Sequence, residues 1–307
     1  MVKLKGLLIS FLIILVLGLL AFYWLMPFNL IQFSSNPGNS NFSLNSSSSA
    51  PEMQFYPNLR YSSSNISYNI DSTLCTIKKQ DDMRQAFSII ENLTVLRFHE
   101  VSSMPEISIT CDDKTVVNEN YFVAGEGGPV NITESGSFNV ITQGKILLLR
   151  ESNCPKPNIA THELLHALGF NHSANSNNIM YPITTCDEEI GQDIPALINE
   201  IYSAPSYPDI LFGETDAVIH GRYLDTNITV LNNGLAKSGN AKLIISSASG
   251  QIDEQTVAPL DIGTGITFYF NNIQLSNPTV DELQYALETD FNEISKDNNV
   301  LSLKIKK

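Results

Sequence analysis

The sequence predicts an α+β domain followed by an all-β sandwich, both carried behind an N-terminal transmembrane helix. Three observations lead there. An uncharged, apolar run fills residues 6–28. Segments of period 2 and of period 3.6 then alternate as far as Tyr202, and the stretch 162–172 among them holds three of the five histidines. Beyond Pro205 short apolar runs recur between turn residues, the pattern of stacked antiparallel strands.

Residues 1–28 are the first element. Lys3 and Lys5 precede the apolar run, which has about the length that spans a bilayer. A basic flank stays in the cytoplasm, which places the rest of the chain outside. A cleaved signal peptide would have a shorter apolar region and a small-residue cleavage site. This run ends Phe22-Tyr23-Trp24-Leu25-Met26-Pro27-Phe28, with aromatics suited to the membrane interface. The expectation is an uncleaved signal anchor and attachment to the cell membrane through this helix; cleavage would instead give a secreted protein. Residues 29–51 are rich in Ser and Asn without apolar periodicity and read as a flexible tether. The 307 residues suit about two domains. A net charge of −14 argues against nucleic acid as a partner. It names no substrate and no oligomeric state.

The α+β domain is expected at 52–204. Ile66 to Ile70 alternates as a strand. Met83, Ala86, Phe87, Ile90 and Leu93 repeat at helical spacing, with Asp81 and Asp82 favourable in the first turn. Val95–Val101 and Glu106–Cys111 read as two further strands. Ile146–Arg150 is a strand leading into a helix whose start is marked by Pro157 and Asn158, where an N-cap belongs. Ile194, Leu197, Ile198, Ile201 and Tyr202 form a last helical stripe.

The helix that starts at Pro157 carries the chemistry, in the pattern H-E-x-x-H-x-x-G-x-x-H from His162 to His172. Residues four apart share a helical face, so His162 and His166 can offer ring nitrogens to one metal ion. Glu163 is too close to His162 for an equivalent ligand position and is placed to reach a water at the metal. Gly169 can take the left-handed conformation that ends a helix and returns the chain, bringing His172 as third ligand. Three protein ligands leave one position open, as catalytic zinc requires. A closed structural zinc site would need a fourth ligand, for which Cys154 or Cys186 would have to serve. Chance supplies the whole pattern in on the order of one chain in 10⁵ of this length.

Eight residues after His172 stands Met180, in the polar, turn-like Ser173–Pro182. With the three histidines this resembles the metzincin zinc proteases and their Met-turn. Ser173 directly after the third histidine, the spacing, and Met180-Tyr181-Pro182 resemble the matrixin branch. The resemblance covers roughly residues 60–203. It implies a twisted, mostly parallel sheet with three helices, one catalytic Zn²⁺ held by His162, His166 and His172, Glu163 as general base, and protein or peptide substrates. It further implies that Tyr181, Pro182 and Ile183 wall a pocket for the residue after the cleaved bond. Gly125 to Thr133 resembles the bulge and edge strand along which matrixins hold an extended peptide; a glycine-rich surface loop is the plainer reading. Leu165 departs from the family, which commonly has glycine there, without removing a ligand.

Cys75, Cys111, Cys154 and Cys186 all fall outside the membrane, and an even count there favours two disulfides. Three pairings are possible. Cys75–Cys111 with Cys154–Cys186 is favoured, the second tying the entry of the histidine helix to the segment after Met180. Cys154 as an inhibitory zinc thiolate is the alternative.

For residues 205–307 the apolar runs are Asp209–Phe212, Ile228–Leu231, Ala241–Ile245, Ile266–Phe270, Leu283–Leu287 and Val300–Ile305. Leu231-Asn232-Asn233-Gly234 and the segment Asp290–Asn299 resemble adhesion-related, fibronectin-like domains of microbial surface proteins. The acidic Asp290–Asp297 run is a candidate Ca²⁺ holder or a solvated turn. The expectation is a membrane-anchored, extracytoplasmic zinc endopeptidase. The competing expectation is a surface adhesion protein that binds zinc without turnover.

Overall fold

Alternation in Asn65–Ile70 puts Ile66, Tyr68 and Ile70 on one face of a strand, and that face is buried in the computed structural model. The structure describes residues 53–304 except 115–116, 119–120, 152–153, 184–185 and 278–279. The expected transmembrane helix and tether lie outside the described residues. Among the described residues no helix is long and apolar enough to cross a membrane.

The first elements are β1 (Leu59–Tyr61), β2 (Asn65–Ile70), α1 (Ile77–Leu93), β3 (Arg97–Glu100), β4 (Ile107–Cys111), β5 (Val117–Asn118), β6 (Tyr121–Phe122), β7 (Gly125–Ser135), β8 (Phe138–Leu148), α2 (Asn158–Ala167) and α3 (Asp193–Ile201). Strands β3, β2, β4 and β8 lie side by side and parallel, and β1 joins β8 in parallel on the edge that β4 uses. β7 runs antiparallel along the opposite edge of β8, from Gly125 opposite Leu148 to Ser135 opposite Phe138. The glycine-rich stretch is therefore a strand, with register shifts around Asn131. β5 and β6 form a separate two-stranded ladder.

Helix α1 starts earlier than the apolar stripe predicts. Thr76 Oγ1 accepts from the backbone N–H of Lys79 and caps it. Asp81 and Asp82 consequently fall beyond the first turn, and Asp82 is buried beside Lys78. Met83, Ala86, Phe87 and Ile90 face the sheet as expected and share one core with Ile66, Ile107, Ile109, Ile146, Leu164 and Leu165. Each of these side chains other than Ala86 contributes about 1.5–3 kcal/mol on burial. Strand β8 begins at Phe138, before the predicted Ile146, because polar Asn139, Thr142 and Gln143 interrupt its apolar run while both edges pair.

The C-terminal strands are β9 (Ile210–His220), β10 (Tyr223–Asn232), β11 (Ala241–Ser247), β12 (Gly250–Val257), β13 (Gly265–Gln274), β14 (Glu282–Thr289) and β15 (Val300–Lys304). They form two antiparallel sheets, β13-β10-β9 and β12-β11-β14-β15. Ile228 and Val230 of the first share a buried core with Leu243, Ile245 and Tyr285 of the second, so the sheets pack face to face as a sandwich. Strand β12 escapes the apolar-run reading because Gln251, Asp253, Glu254 and Gln255 leave it no apolar face of its own.

The four cysteines form Cys75–Cys111 and Cys154–Cys186. A disulfide sulfur is no thiolate, so Cys154 and Cys186 supply neither an inhibitory ligand nor a fourth structural one.

Candidate metal centre and groove

Helix α2 buries Ala160, Leu164, Leu165 and Ala167 in the domain core and places His162 and the buried His166 along the lining of a groove. Its start has no side-chain cap at Pro157, contrary to the expected N-cap. Asn158 Nδ2 instead donates to the buried Glu188 carboxylate at 3.1 Å, which brings negative charge to the positive end of the helix dipole.

The helix ends in a Schellman motif. Gly169 has φ +99°, its N–H donates to His166 O at 2.9 Å, and Phe170 N–H donates to Leu165 O at 3.0 Å. A β-carbon on Gly169 would also lie 2.7 Å from Leu59 Cδ2. The reversal brings His172 back: its ring centroid lies 4.6 Å from that of His166 and 5.3 Å from that of His162.

Two backbone carbonyls fix the rings. His162 Nδ1 donates to Ile179 O at 2.6 Å, and His166 Nδ1 donates to Phe170 O at 2.8 Å. A carbonyl only accepts, so Nδ1 carries the proton and Nε2 keeps its lone pair. Ile179 and Met180 lie in a tight turn closed by Tyr181 N–H to Asn178 O at 2.9 Å. Met180 is buried, and its carbonyl accepts from Ser173 N–H at 2.9 Å, pinning the residue after His172. The turn therefore acts through its backbone on both sides of the cluster.

One ligand atom from each of His162, His166 and His172 falls within 4.8 Å of the other two. His166 Nε2 and His172 Nε2 stand 3.1 Å apart. That spacing suits two ligands of one ion, since tetrahedral zinc with bonds of about 2.0–2.1 Å spaces its ligands by about 3.3 Å. Burial lowers the pKa of all three imidazoles, that of His166 to about 4 with the neighbouring His162 adding to it. They are neutral ligands at pH 7. The donor set fits a zinc ion with an open position.

Glu163 is buried on the same helix. Burial, with the nearby Glu126 carboxylate adding to it, raises its pKa to about 8. A dication at the three imidazoles would act in the opposite direction.

The cluster opens into a groove of about 800 Å³. Phe55, Val123, Gly125, Glu126 and Gly127 line it together with Tyr181, Pro182 and Ile183 and with His162, Glu163, His166 and His172. The expected ligands, base and pocket residues thus all line it, whereas Met180 is buried and is not among the lining residues. The disulfides lie apart from the ligand set. Gly127 packs so closely on α2 that a β-carbon there would lie 2.2 Å from Glu163 O.

Sequence reasoning missed Phe55 and Glu126. Phe55 stacks near His166, with 5.8 Å between ring centroids, and its N–H donates to Gly169 O at 3.0 Å. The strap Met53–Phe55 thus runs beside the chain that delivers His172. Its signal is only an aromatic after a Ser/Asn-rich stretch, which says nothing of a partner more than a hundred residues away. Glu126 was visible as the acidic residue in the glycine stretch, but only pairing of β7 with β8 places it near Glu163.

Residues 60–203 match the matrixin family model, so this segment is a matrixin-like domain. No curated protein matches the chain. Among solved structures, a CARDB domain from Pyrococcus furiosus, determined in complex with di-metal ions, is similar at 15% identity with a TM-score of 0.27, covering 33% of this chain and 90% of that one. A domain of a putative cell surface protein from Methanosarcina acetivorans is similar at 20% identity with a TM-score of 0.28, covering 31% of this chain and 88% of that one.

Proposed function

We propose that this protein is a membrane-anchored, extracytoplasmic zinc endopeptidase of the matrixin kind. The observation that carries the reading is the convergence of three neutral imidazoles beside a buried carboxylate at the floor of an open groove. His162, His166 and His172 would hold zinc, with Nδ1 of the first two anchored to Ile179 O and Phe170 O. Bound zinc supplies a Lewis acid that makes water a nucleophile near neutral pH and polarises a carbonyl. Glu163 is the general base: its carboxylate takes a proton from the attacking water and passes it to the leaving amine. Gly125 and Gly127 bring backbone without a side chain to the groove, where an extended peptide pairs with the outer edge of β7. Tyr181, Pro182 and Ile183 face the side chain that follows the cleaved bond. The apolar run 6–28 holds the enzyme at the membrane with 52–307 outside.

The test uses the full chain in detergent with an unstructured protein substrate, beside Glu163→Ala. The parent cleaves; a chelator stops it and zinc restores it. The variant retains stoichiometric zinc and loses at least about 10²-fold in rate, the scale of general-base catalysis. Full zinc occupancy in a parent that cleaves nothing would favour the silent adhesion reading, and a folded protein that takes up no zinc would remove both. Recovery of the parent with membranes, and of a chain lacking 1–28 in the soluble fraction, is expected of the anchor.

A further inference from the structure

The sandwich meets the mixed sheet at the turn between β7 and β8. Ser135 Oγ donates to Gly234 O at 2.6 Å, and both partners are out of solvent. Phe138 and Val140 of β8 share a buried apolar cluster with Ala204 and Leu235, and Ile262 and Ile294 of the sandwich pack against it. The described residues cluster as one unit.

The contact falls on the outer edge of β7. Asn139 N–H donates at 3.4 Å to Asn58 O, away from β7, so Asn139 and its partner Glu134 form a pair without mutual hydrogen bonds. In such a pair the carbonyl of Glu134 also points outward, to the side where an added strand would bond. The sandwich already occupies that side: a β-carbon on Gly263 would lie 2.3 Å from Glu134 O, and Gly263 has φ +68°. The Gly263 loop is held firmly. Its N–H donates to Asn232 O at 3.0 Å, and Asn232 N–H donates to Thr264 O at 2.8 Å. The buried Asn232 side chain also accepts from Asp209 N–H and Gly234 N–H and donates to Leu260 O.

We propose that the sandwich is the end wall of the peptide groove. It caps the outer edge of β7 at Glu134 and leaves only the stretch from Gly125 to about Ile132 open to a ligand strand. The inference rests on the reading that a peptide adds to β7. A peptide laid antiparallel there, with its cleaved bond near Glu163, runs N-terminally toward the sandwich. At about 3.3 Å per residue, and with the register shifts at Asn131, it meets the wall about six residues before the cleaved bond. The site is thus built for a segment with a short N-terminal run in extended form.

The test takes the full chain and a series of synthetic peptides that share one cleaved bond and grow by one residue at a time on the N-terminal side. KM falls with added residues up to about the sixth and is constant beyond it, with kcat unchanged. Leu235→Asp opens the apolar cluster. In that variant KM falls a further threefold or so beyond the sixth residue, the scale of one net backbone hydrogen bond, while zinc content and kcat hold. Hydrogen exchange at 133–135 is read in the same samples and accelerates about tenfold or more as the edge loses its cover. Ser135→Ala, which removes one bond and leaves the apolar cluster, gives the same changes in smaller measure if Leu235→Asp does not fold. An identical KM plateau in parent and variants, or unchanged exchange at 133–135 with the sandwich folded, overturns the proposal. A parent that cleaves no peptide fails the protease reading instead, and the exchange measurement then decides the cap alone.

Discussion

Two buried carboxylates show how position decides what the same chemistry does. Glu163 lines a groove with three imidazoles, where the proposed reaction would use it as a base. Asp209 sits under the sandwich's acidic loop, almost wholly buried, and accepts from Ser295 N–H at 3.3 Å and Asn298 Nδ2 at 3.2 Å. Those bonds favour its charge, yet burial wins and its pKa is raised. The sign follows. A carboxyl with a folded pKa above the unfolded one contributes stability fully below the unfolded value, and loses it as pH rises through the folded value. Asp209→Asn keeps the shape and cannot ionise. The stability of the parent relative to this variant, from urea unfolding between about pH 3.5 and about pH 7.5, should fall as pH rises through the raised value and then level. A difference independent of pH would show that Asp209 does not carry this cost.

At the scale of elements, the Cys154–Cys186 bridge joins the approach to α2 to the segment after the Met180 turn, across a sequence separation of 32 residues. Closing a loop of that length stabilises by about 3–4 kcal/mol through the unfolded chain. The bridge also restrains the segment that carries Tyr181, Pro182 and Ile183, one wall of the groove. Replacing both cysteines with serine should therefore lower unfolding stability by about 3 kcal/mol, and raise KM for peptides more than it lowers kcat. Loss of stability with KM unchanged would leave the bridge a purely structural role. The elements around this site were legible because their signals are local. The spacing of His162, His166, Gly169 and His172 is a helix followed by a return, and Met180 follows within eight residues. The first turn of α1 was misplaced because Thr76 and Lys79 make a cap that the apolar stripe does not show. Strand β12 was unreadable because its charged residues leave no period-2 contrast.

Across the whole molecule the least legible feature is how the two halves are joined, since it rests on contacts far apart in sequence. Arg60 is the plainest case. Arginine is mostly exposed in folded proteins, yet Arg60 is 1% exposed. One guanidinium nitrogen donates to Ile201 O at 2.6 Å and Ala204 O at 3.1 Å, its Nε donates to Tyr61 O at 2.9 Å, and its Cζ lies over the Tyr202 ring, 4.2 Å from the centroid. It closes the C-terminal end of α3 and fixes the start of the linker into the sandwich, where Ser206 accepts a further bond. A lysine keeps the charge but has neither the planar fork nor the stacking face, so it cannot serve these carbonyls together. Arg60→Lys should then cost about 3 kcal/mol, since buried acceptors lose charged donors. The loss should fall at the junction. Calorimetry is expected to separate one unfolding transition into two, with the sandwich melting near its original temperature and the matrixin-like part lower. The distribution matters more than the size of the effect. A variant that melts in a single transition at a lower temperature would mean that Arg60 stabilises the fold generally, and that the two halves are coupled through the β7–β8 turn alone.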